Sequence, residues 1–158
     1  MIDSELRDRA GRHVTLRPVT DDNWRAVADV APRDDQRRWV PALAARYLVL
    51  SARSKVWTSL AVVADEMVVG HLMWGVDVDG SRWIGGTMID AAEQDRGVGR
   101  AAVRTLADWL ASQDGGSVVR LSYHPENVAA ARLYESLGFV PTGEVEDDEV
   151  VAELSSAS

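Results

Sequence analysis

The sequence predicts one α/β domain with a central mixed, mostly antiparallel β-sheet that is flanked by helices. Three observations indicate this fold class. Stretches of strand and helix periodicity alternate along the 158 residues, pairs of strand-like stretches are separated by two-residue turns, and no linker rich in Pro, Gly or Ser divides the chain. The length suits a single domain. We expect this domain to span residues 13–154, with residues 1–12 and 155–158 as tails.

The first third of the chain predicts one strand and two helices. Residues His13–Val19 alternate between apolar and polar, as in a strand. Thr20 is a candidate N-cap for a helix whose apolar positions from Trp24 to Val30 recur at helical spacing. A second helix is predicted over residues 41–52.

The middle of the chain predicts three consecutive antiparallel strands. Residues 59–64 and 67–76 are β-rich and are separated only by Asp65–Glu66, which is typical of a hairpin. Residues 82–90 form the next strand and contain Gly85–Gly86. Because paired glycines inside a strand favour a bulge or a close backbone approach, an opening for a ligand is expected there.

The last third predicts two helices that alternate with strands. Apolar residues from Ala101 to Leu110 recur at helical spacing until Gly115–Gly116 ends the helix. Asn127 is a candidate N-cap for the second helix. This second helix is predicted over residues 128–137. The remaining predicted strands cover residues 118–123, a stretch that begins at residue 139, and residues 150–154.

Composition narrows the classes of partner. The net charge of −8 argues against nucleic acid, which needs a basic surface, and favours a small cationic molecule, although an acidic surface also serves solubility alone. No apolar run approaches the roughly 18 residues of a membrane span, and the charged first residues are unlike a signal peptide, so we expect a cytoplasmic protein. Without cysteine there is no thiolate metal site and no cysteine acyl-enzyme, and we expect no metal.

The segment 94–100 has the features of a phosphate-binding turn. It lies between a predicted strand and a predicted helix, where the helix N-terminus contributes partial positive charge. Gly97 and Gly99 allow backbone amides to point at an anion without obstruction by side chains. Arg96 and Arg100 flank the turn and can pair with phosphate oxygens.

Two other interpretations of this turn stay open. Residues 97–102 also satisfy the dinucleotide-binding pattern G-x-G-x-x-A. That pattern should open the first βα unit of a chain, however, and the following strand should end in an acidic residue, where this chain has Tyr123 and His124. The other interpretation is a turn that binds no ligand.

Two motifs together resemble those of the GNAT acetyltransferases. The turn 94–99 reads Q-x-x-G-x-G and is similar to the Q/R-x-x-G-x-G/A motif of that family, and Asn127, Tyr134 and the pair 138–139 resemble its later motif. The resemblance covers about residues 82–140. It implies the GNAT fold, with a splayed strand pair at the CoA site, acetyl-CoA as cosubstrate and a homodimer.

The resemblance also implies which residues hold acetyl-CoA. One strand of the splayed pair would bind the pantetheine arm through Met88, Ile89 and Asp90, and one of these backbone amides would polarise the thioester carbonyl. The amides that would grip the pyrophosphate belong to Arg96, Gly97, Val98, Gly99, Arg100 and Ala101.

Two side chains in the later motif have implied roles in the reaction. Asn127 matches the family's CoA-contacting asparagine, and a plain helix cap is the alternative. Tyr134 matches the general acid that protonates the leaving thiolate, and the alternative is an aromatic side chain that packs on the core. The attacking amine must also lose a proton, so the reaction needs a general base. The candidates for this base are Asp90, Glu66, His71 and His124. We favour Asp90 because it lies beside the thioester-binding strand.

The acceptor amine is suggested by a narrower resemblance to diamine, spermidine and spermine acetyltransferases, at residues 23–24, 122–127 and 139–144. In the acidic stretch that follows, Glu146 and Asp148 would bind a distant ammonium group, unless this stretch is only a solvated turn. Gly85–Gly86–Thr87 departs from the expected bulky or charged residues, so the acceptor pocket is wider or different. Four tryptophans are candidates for its walls, or for ordinary core: Trp39, Trp57, Trp74 and Trp83.

Two further functions stay open beside polyamine acetylation. The first is transfer to another amine, such as that of an antibiotic or a peptide. The second is a protein that binds acyl-CoA as a sensor without turnover.

Overall fold

The computed structural model describes residues 1–114 and 118–155, and these residues form one seven-stranded sheet with four α-helices. The strands are Val14–Pro18 (β1), Thr58–Ala64 (β2), Met67–Val76 (β3), Arg82–Ile89 (β4), Val118–Tyr123 (β5), Val140–Glu146 (β6) and Glu149–Ser155 (β7). The helices are Trp24–Ala28 (α1), Ala45–Ser54 (α2), Val98–Ser112 (α3) and Val128–Ser136 (α4), with short 3-10 helices at Asp34–Arg38 and Ala91–Glu93.

The sheet has the order β1-β2-β3-β4-β5-β7-β6, and every neighbouring pair except one is antiparallel. The exception is the parallel pair β4–β5, which is joined only at Arg82–Val119 and Trp83–Arg120. Beyond these residues the two strands diverge. The predicted α/β class with a mixed, mostly antiparallel sheet and a splayed strand pair is therefore confirmed.

The core lies on both faces of the sheet, because alternate residues of β2 point in opposite directions. Leu60 and Val62 belong to the large cluster that also contains the buried face of α3. Ala61 and Val63 belong to a smaller cluster with Val27 of α1. Helices α1 and α2 thus cover one face, and α3 and α4 cover the other.

Several predicted element boundaries differ from the structure. The Asn23 side chain accepts a hydrogen bond from the Thr20 amide at 2.7 Å, which closes a turn before α1, so Thr20 is not the N-cap and the helix has only five residues. Helix α2 begins at Ala45 rather than at residue 41, and β4 ends at Ile89. The predicted helix end at Gly115–Gly116 lies outside the described residues. No helix in the described ranges combines the length and apolar composition needed to cross a membrane.

The first twelve residues, which the sequence analysis treats as a tail, lie against the domain. Ile2 and Leu16 exchange two backbone hydrogen bonds of 2.8 and 3.0 Å, which add a short bridge to the outer edge of β1. Asp8 is buried, and the Arg9 amide donates to the carbonyl of Arg96 at 2.6 Å. At the other end of the chain, β7 continues to Ser155.

Candidate active site

A cleft of about 1150 Å³ opens where β4 and β5 diverge. One end is lined by the turn before α3 and by arginine side chains. Farther from the turn the cleft is lined by aromatic and acidic side chains from α2, β4, β5, β6 and β7. Glu93 and Asp95 also line the cleft beside the turn, where both are paired with arginines.

The turn before α3 exposes backbone amides to the cleft. Asp95 and Gly97 have φ angles of +63° and +83°, the left-handed conformation that bends the chain sharply ahead of the helix. The first backbone bond of α3 runs from the Ala101 amide to the Gly97 carbonyl at 3.2 Å, so the amides before Ala101 have no acceptor within the helix. Residues Gly97–Arg100 line the cleft.

The side chain of Gln94 holds this turn in place. Its Nε2 donates to the Ile89 carbonyl at 2.9 Å and to Oε1 of Gln36 at 2.7 Å. These bonds tie the end of β4 and the 3-10 helix at 34–38 to the start of the turn. The glutamine of the motif thus shapes the turn through its own side chain.

Two residues that the sequence places at the phosphate lie outside the cleft. Arg96 directs its guanidinium to Glu93 at 3.5 Å. Ala101 packs in the core with 5% of its surface exposed. Arg100 does line the cleft, as do Arg9, Arg33 and Arg132.

The glycine pair in β4 forms the bulge that the sequence predicts. Pairing with β3 shifts register between His71 and Met73, and Gly86 has a φ of +58°. A Cβ atom on Gly85 would lie 3.0 Å from the Trp57 ring, and one on Gly86 would lie 3.1 Å from the His71 ring. Only glycine fits this close approach without strain.

Strand β4 presents Met88 and Ile89 to the cleft, but Asp90 turns away. Both Asp90 oxygens accept backbone hydrogen bonds, from Ala31 at 3.2 Å and from Ala92 at 3.3 Å. The carboxylate therefore caps the short 3-10 helix that follows it. The structure does not bring this candidate base to the reaction centre.

The other candidate bases lie at different depths. Glu66 is at a hairpin turn, where its side chain is 87% exposed and pairs with Arg17. His124 lines the cleft and packs on Trp39 with 4.5 Å between ring centroids. His71 is fully buried behind the β4 bulge.

A chain of hydrogen bonds through His71 connects α2 to the bulge. His71 Nδ1 lies 2.7 Å from the Gly86 carbonyl, which only accepts, so Nδ1 carries the proton. Nε2 then accepts from the Ser59 hydroxyl at 2.8 Å, and the hydroxyl oxygens of Ser59 and Ser51 lie 2.7 Å apart. Burial lowers the pKa of His71 to about 4, which keeps the ring neutral. Tyr47 stacks on this ring with 5.2 Å between centroids.

Tyr134 lies on the cleft, beside β4. Its ring packs against Tyr123 at 5.7 Å and Phe139 at 6.2 Å. Burial raises the pKa of Tyr134, the Thr87 hydroxyl partly opposes this effect, and the negative charge of Glu149 adds to it. The phenol is therefore protonated at neutral pH.

Asn127 combines a cap with a position on the cleft. Its Oδ1 accepts a hydrogen bond from the Ala130 amide at 3.3 Å, so it is the N-cap of α4. The same residue lines the cleft near the turn before α3. The cap leaves the amide nitrogen of the side chain free for other partners.

The acidic stretch between β6 and β7 has residues that line the cleft and residues that lie in an exposed turn. Glu146 lines the cleft, whereas Asp148 lies in the turn, where it has a φ of +66°. Glu149, the last residue of the acidic stretch that the sequence predicts to bind a distant ammonium, also lines the cleft. Its carboxylate accepts from the Ser122 hydroxyl at 3.3 Å. Burial raises the pKa of Tyr47 and of Tyr134, and the charge of Glu149 adds to this effect. The position of Glu149 at the start of a strand, directly after the acidic turn, was the feature of the sequence that could have indicated a place in the cleft.

Three of the four selected tryptophans line the cleft: Trp39, Trp57 and Trp83. Trp74 instead packs edge-on against Trp109, with 5.3 Å between ring centroids, as part of the core. The alternation of β3 explains the difference, because Met73 faces the cleft and its neighbour must face the opposite side of the sheet. In the described ranges no group of His, Asp and Glu side chains is arranged to hold a metal ion.

A diverging parallel strand pair beside a turn at a helix N-terminus is the arrangement that the resemblance to CoA-dependent acyltransferases implies. The family model described as the acetyltransferase (GNAT) family matches residues 16–139, and the chain belongs to this family. It is accordingly an acetyl-CoA-dependent N-acetyltransferase.

The individual relatives share less than a quarter of their residues with this chain. A spermine/spermidine N(1)-acetyltransferase of Bacillus subtilis is 24% identical over 140 residues, which cover 84% of this chain and 91% of that protein. The structure of Mycobacterium smegmatis RimJ in complex with CoA-disulfide superposes with a TM-score of 0.74 at 20% identity, covering 96% of this chain and 85% of that one. The aminoglycoside acetyltransferase AAC(6')-Ib, in complex with ribostamycin and coenzyme A, gives a TM-score of 0.76 at 23% identity, covering 90% of this chain and 93% of that one.

Proposed function

We propose that this enzyme transfers an acetyl group from acetyl-CoA to a primary amine of a small polyamine or diamine, by direct attack within a ternary complex. The observation that carries this proposal is the opposite charge of the two ends of one cleft. Arg9 and Arg100 line the cleft beside the turn, where the lining carboxylates Glu93 and Asp95 are paired with arginines, and Glu146 and Glu149 line it away from the turn. An anionic cosubstrate and a cationic acceptor can therefore meet in one cleft, which Tyr134 also lines.

The amides of Gly97, Val98, Gly99 and Arg100 fit the pyrophosphate of acetyl-CoA, since they face the cleft at a helix N-terminus. Met88 and Ile89 would bind the pantetheine arm along the free edge of β4, and Asn127 would contact it from α4. The relative solved with CoA-disulfide shares this fold and supports the assignment. Asp90 and Ala101 lie outside this site because their amides donate to the carbonyls of Val69 and Gly97 at 2.8 and 3.2 Å, and Arg96 does not line the cleft.

Tyr134 would act as the general acid. The amine nitrogen attacks the thioester carbon, the C–S bond breaks, and the phenol gives its proton to the departing sulfur. Because burial raises the pKa of Tyr134, the phenol keeps this proton at neutral pH.

Glu149 would accept the proton that the amine loses. Its carboxylate lines the cleft, and its charge adds to the effect of burial in raising the pKa of Tyr134, which supports a role for both groups in one reaction. Glu146 would hold the distant ammonium of the acceptor, and Trp39, Trp57 and Trp83 would bind its cationic chain through their ring faces.

An aminoglycoside is the second candidate acceptor. The relative solved with ribostamycin has the same fold. Such a molecule is also polycationic, so the acidic end would suit it.

Release of CoA from acetyl-CoA, measured with putrescine, spermidine, spermine, aminoglycosides and N-terminal peptides, tests the proposal. We expect the highest kcat/KM with a polyamine. Turnover restricted to aminoglycosides or peptides would contradict the polyamine assignment, and tight CoA binding without any turnover would support the sensor. The homodimer and the cytoplasmic location stay predictions, and light scattering of the purified protein tests the first.

Glu146→Gln provides a sharper test of the acidic end. We expect it to raise KM for spermine several-fold and to leave KM for a monoamine nearly unchanged. Asp148→Asn is the matched control, because it removes the same charge two residues away but outside the cleft. An equal rise in KM for spermine in both variants would mean that the acidic stretch acts only through its overall negative charge and not through direct contact.

A further inference from the structure

The N-terminal segment 8–12 packs directly on the phosphate turn. The Arg9 amide donates to the Arg96 carbonyl at 2.6 Å, and Nη1 of Arg9 donates to the Asp95 carbonyl at 3.4 Å. A Cβ atom on Gly97 would lie 3.3 Å from Cγ of Arg9. The Arg9 side chain is thus in contact with the turn and lines the cleft.

A buried ion-pair network holds this segment in place. The Asp8 side chain has no exposed surface, and its Oδ1 accepts from the amides of Ala10 and Arg12, each at 2.9 Å. Its Oδ2 pairs with Nε of Arg12 at 2.8 Å, and Nη2 of Arg12 pairs with Glu93 at 2.7 Å. Glu93 is the last residue of the 3-10 helix just before the turn. The segment is therefore attached both before the turn, through Arg12 and Glu93, and within it, through the Arg9 amide.

The guanidinium of Arg9 has charge available for a ligand. Arg33, on the same part of the cleft, is paired with Asp95, and Arg12 is paired twice. In the described part of the chain, Arg9 contacts a carbonyl oxygen and no carboxylate lies within 4.0 Å of it. An exposed arginine held by its own backbone beside unpartnered amides is suited to a phosphate.

We propose that Arg9 is a ligand of the CoA pyrophosphate and that Asp8, Arg12 and Glu93 position it. The segment treated as a tail is then a third wall of the cosubstrate site, beside the turn and α4. This inference rests on the proposed binding of acetyl-CoA at the turn.

Calorimetric titration of the full chain with CoA tests the inference. We expect Arg9→Ala and Arg9→Gln to raise Kd about 10-fold, as befits one charge-assisted hydrogen bond, and the difference to shrink at high salt. Arg7→Ala is the matched control and should keep Kd within about twofold, because Arg7 binds the Gly11 carbonyl at 2.7 Å and does not line the cleft. Dephospho-CoA, which retains the pyrophosphate, should show the same loss.

An unchanged Kd for both Arg9 variants would overturn the inference. A loss seen with CoA but absent with dephospho-CoA would also overturn it, because the ligand of Arg9 would then be the 3′-phosphate. Failure of the proposed function looks different, since the unaltered chain would bind neither compound. Circular dichroism of each variant checks that the fold is retained.

Discussion

Acidification should destabilise this protein through His71. The unfolded chain binds a proton at a histidine whose pKa is near 6.5, whereas burial lowers the pKa of His71 in the folded chain to about 4. Between these values the unfolded state carries the proton and the folded state does not. The contribution of His71 to stability is therefore complete above pH 6.5 and is lost as the pH falls toward 4.

The size of the effect follows from the two pKa values. Linkage gives a loss of about 2 kcal/mol between pH 7 and pH 4.5. The ring has no exposed surface, so solvent does not reduce the effect. The physical origin is that a charged ring would have to be buried against Tyr47 with a carbonyl and a hydroxyl as its polar partners.

Urea unfolding followed by tryptophan fluorescence measures this contribution, since the chain has six tryptophans. His71→Gln removes the titrating group and keeps an amide donor for the Gly86 carbonyl. From pH 7 to pH 4.5 the unaltered protein should lose about 2 kcal/mol more than the variant, because all other titrating groups are common to both. From pH 7.5 to pH 8.5 the two should change in parallel. Identical losses over the acid range would refute the assignment of His71 as a buried neutral ring.

Three further changes have defined outcomes. Tyr134→Phe should lower kcat about 100-fold, with little change in the Kd of CoA. It should also remove the alkaline limb of the pH profile, which burial moves upward by raising the pKa of Tyr134. Retention of both the rate and the limb would exclude Tyr134 as the acid. Gly86→Ala should lower the free energy of unfolding by about 1–2 kcal/mol, because its φ is +58° and the new Cβ would lie 3.0 Å from Met73 Cε; unchanged urea midpoints would contradict this strain. Asp8→Ala should cost about 3 kcal/mol in urea unfolding, since Arg12 loses a fully buried partner, and a cost no larger than that of Asp148→Ala would mean that the network is not stabilising.

The sequence determined the order of strands and helices and the position of the phosphate turn. These features depend on local patterns: the period of apolar residues, the capping asparagine at position 127, and the glycines at 85–86 and 97. A strand bulge or a turn before a helix needs particular φ angles from a few adjacent residues. Such requirements leave a signal in those residues themselves.

Which side chains meet in the cleft was decided only by the tertiary structure. Asp90 and Trp74 have suitable chemistry, yet Asp90 caps a 3-10 helix and Trp74 lies on the face of β3 that packs in the core. Glu149 and Arg9 reach the cleft because β7 pairs with β5 and because the Asp8 network folds the N-terminus onto the turn. These contacts join residues far apart in sequence, and the direction of a side chain at the end of a strand depends on what the strand pairs with. No local pattern carries that information.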